Sequence, residues 1–313
     1  MCATEPTKHI WVINLNTNMI KVNNVILEQK HFPDGSLMMM GFPSLIVKND
    51  CNFITWQYES DSELFTLICV AKHIRKITNN KSDIMLEMPF LAHARMDRVK
   101  SQTEVFTLKY FCEIINSLNF NKVIVLDPHS NVGVALLNNI VVKSPERFID
   151  AALYDIEGGN IDGGRKYSGT TVIYFPDEGA MKRYSDMSVF KDRAIVYGHK
   201  IREWKTGEIV GLKIRDRDGE EILRGSSKNP VNGKVVLMVD DIISYGGTLA
   251  YSADGLRKLG ASAVYAYASH TENSILNVEK GKLLDRLNSG VVDELFTTDS
   301  LYHDEHPKIT VLG

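Results

Sequence analysis

Two adjacent carboxylates, Asp240 and Asp241, follow five apolar residues, Val235 to Val239, and precede Gly246-Gly247-Thr248. The apolar run reads as a strand buried on both faces of a parallel sheet. From Thr248 onward, apolar positions at Leu249, Ala253, Leu256 and Leu259 read as a helix that Gly260 ends. The stretch is therefore expected to be strand, loop and helix. In open α/β sheets, ligands bind where such loops leave the carboxyl ends of strands. Glycines let backbone N–H groups approach an anion, and a helix N-terminus adds about half a positive charge. The loop suits a phosphate, and the two aspartates suit sugar hydroxyls or Mg²⁺.

Four further stretches carry groups able to do chemistry. In the first half, "HFPDGS" (31–36) offers Phe32 to stack on a purine, and "FLAHARMDRVKSQ" (90–102) offers Arg95 and Arg98. Guanidinium groups are planar, permanently charged forks for phosphate. "VLDPHS" (125–130) ends a strand with His129. "YFPDEGA" (174–180) gives another strand-end carboxylate, Asp177, followed by Gly179 and a helix, which again suits a phosphate or Mg²⁺. "GHKIREW" (198–204) sets Lys200 and Arg202 at alternate positions of an extended segment, on one face. The "HDEH" cluster at 303–306 lies in a short polar tail and is not read as a metal site.

The elements that must hold these groups alternate nearly end to end. Strands are expected over 8–16, 44–50, 83–90, 122–126, 170–175, 193–201, 234–241 and 261–270. Helices are expected over 59–77, over 103–118 with Thr103 as cap, and from Ser144 as cap with Pro145 at the first position. This grammar predicts an α/β protein of two related domains, 1–143 and 144–313, each with a mainly parallel sheet flanked by helices. The polar stretch 202–233, with turns at Thr206-Gly207 and Asp218-Gly219, is expected to form a mobile β-ribbon rather than core.

Composition sets outer bounds. A formal net charge of -3 gives no reason to expect nucleic acid or a membrane surface as partner. No apolar run approaches the roughly 20 residues of a membrane span. The first ten residues include Glu5 and lack the apolar centre of a signal peptide. Cys2, Cys51, Cys69 and Cys112 are scattered, against structural zinc and against a disulfide framework. A cytoplasmic protein is expected.

In this order the stretches resemble the ribose-phosphate diphosphokinase family, the PRPP synthetases, over almost the whole chain. The loop at 240–248 resembles the phosphoribosyl-diphosphate loop that this family shares with phosphoribosyltransferases. Alone it does not separate a transferase, a synthetase or a nucleotide-responsive regulator. The N-terminal set does. "FPDGS" resembles the family's Phe-x-Asp-Gly-Glu, and "ARMDRVK" its Ala-Arg-Gln-Asp-Arg-Lys. "LDPHS" resembles Leu-Asp-x-His, "PDEG" resembles Pro-Asp-x-Gly, and "HKIR" resembles the Lys and Arg of the flexible catalytic loop.

The resemblance implies two phosphoribosyltransferase-like domains, with the closing stretch of the chain packing back on the first. It implies attack by the anomeric hydroxyl of a ribose 5-phosphate on the β-phosphorus of MgATP, with AMP leaving. Lys200 and Arg202 would be catalytic. Phe32, Asp34, Ser36, Arg95, Met96, Asp97 and His129 would bind ATP, and His129 and Asp177 would hold Mg²⁺. Asp240, Asp241, Ser244, Tyr245, Gly246, Gly247 and Thr248 would hold the acceptor's sugar phosphate. Assembly as a homo-oligomer, dimer or hexamer, is implied as well.

Three departures stand out. Ser36 replaces the family's Glu, and Met96 its Gln. The phosphate loop, usually Asp-Asp-x-x-Asp-Thr-Gly-Gly-Thr, here carries Ser244 and Tyr245 in place of the third Asp and the first Thr. Tyr245 sets a flat ring beside the phosphate, where stacking on a base contributes roughly 1–3 kcal/mol. Ribose 5-phosphate remains the first expectation for the acceptor. ADP-ribose, whose 5-phosphate continues into a diphosphate and an adenosine, is the alternative. A non-catalytic PRPP- or nucleotide-binding module is the reading from another class. Retention of Lys200, Arg202, His129 and both aspartates opposes it.

Overall fold

Short β-branched runs set between amphipathic helices build two separate main sheets. The computed structural model describes residues 20–39, 42, 47, 48, 50–158, 170–202 and 209–313, with the backbone alone over 200–202 and 209–210. The first half holds strands β1 (Ile20–Val22), β2 (Val25–Ile26), β3 (Gln29–His31), β4 (Leu37–Met39), β5 (Cys51–Trp56), β6 (Asp83–Glu87), β7 (Lys122–Leu126) and β8 (Ile140–Lys143). Its helices are α1 (Glu63–Ile77), α2 (Thr107–Ser117) and α3 (Asn131–Leu136). The sheet order is β2-β1-β5-β6-β7-β8, parallel from β5 to β8, and β3 and β4 form a hairpin of their own. Helix α1 buries Leu67, Val70, Ala71 and Ile74, a stripe at helical spacing, in a core shared with Ile54, Trp56 and Leu86.

The second half holds helices α4 (Glu146–Ile156), α5 (Glu178–Tyr184), α6 (Gly247–Lys258) and α7 (Lys282–Asn288). Its strands are β9 (Val172–Phe175), β10 (Ile195–Arg202), β11 (Ile209–Asp216), β12 (Val235–Ile243), β13 (Ala263–Thr271), β14 (Glu294–Thr298) and β15 (Ile309–Leu312). The order is β11-β10-β9-β12-β13-β14-β15, parallel throughout except for the β10–β11 ribbon. On central β12, Val236 and Met238 enter one core with Leu249, Ala253 and Leu256 of α6. Leu237 and Val239 enter another with Phe148, Ile149, Ala152 and Leu153 of α4. Burial on both faces is what an unbroken apolar run in a parallel strand demands.

Several expectations are corrected. Strand β12 does not stop at Asp241; it runs on to Ile243, because β13 continues to pair beside it, Asp240 with Ala268 and Ile243 with Thr271. The strand expected over 44–50 lies instead at Cys51–Trp56; residues 44–46 and 49, and the whole of 8–16, lie outside the described residues. Thr103 is not the cap of α2, which begins at Thr107; its hydroxyl is 2.9 Å from Ser101 Oγ. Helix α4 begins at Glu146, one turn position later than expected, although Ser144 Oγ does accept the Glu146 N–H at 3.2 Å. The ribbon is part of the second sheet, and Ile214 and Ile222 within it are buried. Thr206-Gly207 lies outside the described residues, whereas Asp218-Gly219 does turn, with Gly219 at φ +85°. The chain's closing stretch adds β15 beside β14 in the second sheet, and at its start the Asp299 carbonyl accepts from Gln57 Nε2 of the first half at 3.1 Å. No helix among the described residues is long and apolar enough to cross a membrane.

Candidate active site

The carboxyl end of β12 and the amino end of α6 frame a cleft of about 620 Å³. Asp240, Ser244, Tyr245, Gly246, Gly247 and Thr248 line it from the second half, and Arg95 reaches it from the first. Gly246 sits at φ +71°, and a Cβ there would lie 2.3 Å from Leu283 Cβ, so both backbone and space demand glycine. A Cβ on Gly247 would meet nothing within 4 Å, which leaves the first turn of α6 open to a ligand. Ser244 Oγ lies 3.2 Å from Ser274 Oγ; Ser274 in turn donates to Glu272, whose other oxygen pairs with Arg95 Nη1 at 3.2 Å. Tyr245 is 39% exposed and lines the cleft, with Lys280 Nζ 5.9 Å from its ring centroid.

Alternation along β12 divides the two aspartates between opposite faces of the sheet. Asp240 lines the cleft, while Asp241 faces the first half of the chain. Asp241 Oδ2 accepts a hydrogen bond from His129 Nδ1 at 2.5 Å and lies 3.5 Å from Arg183 Nη1. Arg183 also donates to the His129 carbonyl, so one guanidinium holds both partners. Burial alone would raise the Asp241 carboxyl, but the hydrogen bond and charge of His129, with Arg183, outweigh it and hold it low. The Asp241 hydrogen bond raises His129 in turn. Burial and the neighbouring Asp241 charge push Asp240 well above the usual carboxylate range, with Asp177 adding to the effect.

Two residues before His129, buried Asp127 accepts the Tyr184 hydroxyl at 2.9 Å and the Ser269 hydroxyl. Burial pushes Asp127 up to about 6 despite these bonds. His270, also buried, sets Nδ1 2.7 Å from Ser300 Oγ and Nε2 3.1 Å from the Leu126 carbonyl. The loop from Asp127 to His129 is thereby clasped by groups of the second half. Arg183, Tyr184, Ser269 and Glu272 were not singled out from sequence. Lys182-Arg183 at the end of α5 reads as ordinary C-terminal charge on a helix, and a serine inside a buried strand carries no spacing signal.

The remaining expected residues are more scattered. Asp177 caps α5, its Oδ1 accepting the Ala180 N–H at 3.0 Å. Among the described residues no three His, Cys, Asp or Glu side chains gather as a metal site, around His129 and Asp177 or at 303–306. In the β3–β4 hairpin, Asp34 Oδ1 accepts from Ser36 N at 2.9 Å and Ser36 Oγ at 2.6 Å, and the Ser36 hydroxyl lowers the Asp34 carboxyl. Phe32 beside it is 50% exposed. Met96 and Asp97 are half-buried, and Asp97 Oδ1 pairs with Arg98 Nε at 3.2 Å. No hydrogen bond or ion pair among the described residues joins this hairpin to Arg95–Asp97, whereas the Asp97 charge does act on His129. Lys200 and Arg202 lie on β10, with a register irregularity just before Arg202; their side chains are outside the described residues. The β11 partner of Lys200 is Leu212, which lines the cleft.

No family model matches the chain. It is 25% identical over 303 residues to the ribose-phosphate pyrophosphokinase of Sulfolobus acidocaldarius, spanning 96% of this chain and 93% of that one. It is 27% identical over 284 residues to the same-named protein of Thermoplasma volcanium, spanning 90% and 86%. With ribose-phosphate pyrophosphokinase A of Dictyostelium discoideum the identity is 29% over 258 residues, 81% of this chain and 71% of that one. Among solved structures, the phosphoribosylpyrophosphate synthetase of Mycobacterium smegmatis shares the fold, with a TM-score of 0.68 over 91% of this chain and 85% of that one at 17% identity. Similarity along almost the whole chain, together with that shared fold, makes this protein a homologue of the ribose-phosphate pyrophosphokinases and an enzyme of their diphosphotransferase type.

Proposed function

We propose that the protein transfers the β,γ-diphosphate of MgATP to the anomeric hydroxyl of an acceptor built on ribose 5-phosphate, releasing AMP. The cleft carries this reading: a glycine loop at a helix N-terminus, a sugar-facing carboxylate and an arginine from the opposite half converge on one space. The naming of the curated relatives supports the donor and the reaction class.

An uncharged hydroxyl must meet a polyanion while negative charge spreads over the transferring group, so positioning and cations do most of the catalysis. The N–H groups opening α6 and the Thr248 hydroxyl take the 5-phosphate. Asp240 takes ribose hydroxyls. Asp241 acts one step back, fixing His129 with the help of Arg183. Lys200 and Arg202, on the ribbon beside Leu212, neutralise charge as it develops. Phe32, Asp34, Ser36, Arg95, Met96 and Asp97 receive ATP, with the β3–β4 hairpin supplied by a neighbouring copy in a homo-oligomer. Mg²⁺, when bound, neutralises charge on the ATP phosphates. His129 and Asp177 would hold it; no third His, Cys, Asp or Glu gathers with them among the described residues, so the ATP phosphates would supply further ligands.

Ribose 5-phosphate fits the loop. ADP-ribose is the second reading, favoured by Tyr245 lining the cleft. Incubation with MgATP and each acceptor, followed by nucleotide separation, tests both. AMP is the expected product, and accumulation of ADP would overturn the reaction class. A strong preference for ribose 5-phosphate that survives in Tyr245→Thr would remove the ADP-ribose reading.

A further inference from the structure

We propose that Tyr245 and Lys280 form a subsite for the part of an acceptor beyond its 5-phosphate, and that this pair lets the cleft take a nucleoside diphosphate ribose as well as ribose 5-phosphate. The inference rests on the diphosphoryl-transfer reading above and adds its specificity element.

A compact dianion is satisfied by the amides and hydroxyls at 246–248 and uses neither a ring nor a further ammonium. Both are nevertheless there. The Tyr245 ring lines the cleft beside the phosphate loop, and Lys280 Nζ stands 5.9 Å from its centroid, within cation–π range. Tyr251, one turn into α6, adds a second exposed ring to the same cleft. Lys280 makes no ion pair with a carboxylate among the described residues, so its charge remains available to an anion.

The segment carrying Lys280 is built to hold it there. Asn277 Oδ1 accepts the N–H groups of Glu279 at 3.0 Å and Lys280 at 2.9 Å, and its carbonyl accepts Gly281 N–H at 2.7 Å. A Cβ on Gly281 would lie 2.3 Å from the Ile275 carbonyl oxygen and 2.6 Å from that of Asn277, so this turn is tight. Two residues on, Leu283 N–H donates to the Tyr245 carbonyl at 3.3 Å, and Leu283 is the side chain that crowds Gly246. Turn and phosphate loop are thus one packed unit, with the ammonium set over the ring. An acceptor with a second phosphate meets Lys280, and its base has a flat surface in Tyr245. The cleft volume of about 620 Å³ lies within the range that encloses ligands of that size.

The test compares wild type, Lys280→Gln and Lys280→Arg, with kcat and KM measured for ADP-ribose and for ribose 5-phosphate by AMP release. The expected result for Lys280→Gln is at least a tenfold fall in the ratio of kcat/KM for ADP-ribose to that for ribose 5-phosphate. The loss should appear in KM, and Lys280→Arg should restore most of it. An unchanged ratio overturns the proposal, as does a loss that Lys280→Arg does not recover. Calorimetric titration with ADP-ribose alone separates this inference from the reaction it rests on. If neither acceptor yields AMP, the reaction class fails, yet tenfold weaker ADP-ribose binding by Lys280→Gln still upholds the subsite. Equal binding by both proteins, or none by wild type, removes it.

Discussion

Asp241 is 6% exposed and yet held in its charged form, which is tolerable only because cationic partners arrive from two directions. Arg183 also anchors the His129 carbonyl, so its removal should disturb the position of His129 and not only a local charge. A charge-assisted hydrogen bond contributes about 1.5–3 kcal/mol. Arg183→Met is therefore expected to lower kcat by on the order of tenfold to a hundredfold, with partial recovery in Arg183→Lys; a merely structural arginine would change the melting temperature and leave kcat alone. Lys200 belongs to a different kind of residue. A cation that engages as charge develops favours the transition state over the bound ground state. Lys200→Ala should lower turnover at least about a hundredfold while ATP affinity stays nearly intact. An equal loss of ATP affinity in a binding titration would place Lys200 with the bound nucleotide instead. At this scale the sequence made the strand-end groups legible, since Asp177, Asp240 and His129 each follow an apolar run. It did not reveal Arg183 or Ser269, whose value comes from partners 58 and 142 residues away.

The strand–loop–helix unit around β12 and α6 was readable because an apolar run, a glycine pair and a helical stripe occur in succession. Its boundary was not. Two carboxylates read as the last residues of the strand, but the ladder to β13 carries extended backbone past them to Ile243. Tertiary pairing overrode local polarity there, as it did in the ribbon, where Ile214 and Ile222 draw a polar stretch into the core. The loop itself offers a sharp test. Gly246→Ala imposes a left-handed backbone on a residue with a side chain, and sets that side chain against Leu283. The cost should be about 1–3 kcal/mol. A lowered melting temperature with a raised acceptor KM is expected; unchanged values for both would mean that the loop is slack.

At the scale of the whole molecule, the two halves each have their own apolar core, and polar groups clasp them at the site. His270 lies in that seam, and burial pushes it down to about 4. In the unfolded chain an imidazole takes up its proton below about 6.5. Between those values the unfolded state binds more protons, so this group's contribution is fully present above about 6.5 and is lost as pH falls toward 4. Asp127, pushed up to about 6, titrates in the same window with the opposite sign, because the folded form now binds the extra proton. The two effects are separated by a variant. Wild type should lose more unfolding free energy than His270→Gln between pH 7 and pH 5, measured by denaturant titration, and equal losses would show that His270 is not held neutral. Of this seam only His129 and Asp241 were legible in the sequence, because serine, tyrosine and histidine inside strands and helices carry no pattern until the halves meet. One consequence of β12 crossing the site in extended form concerns insertions and deletions. Side chains on a strand alternate, so the duties of Asp240 and Asp241 are assigned by odd and even count from Val235. Gain or loss of one codon within that short run would exchange the two carboxylates, turning the cleft-facing acid toward His129 and the clasping acid toward the cleft. Substitutions at either aspartate would damage one duty at a time, whereas a single-residue indel upstream would abolish both without altering either acid.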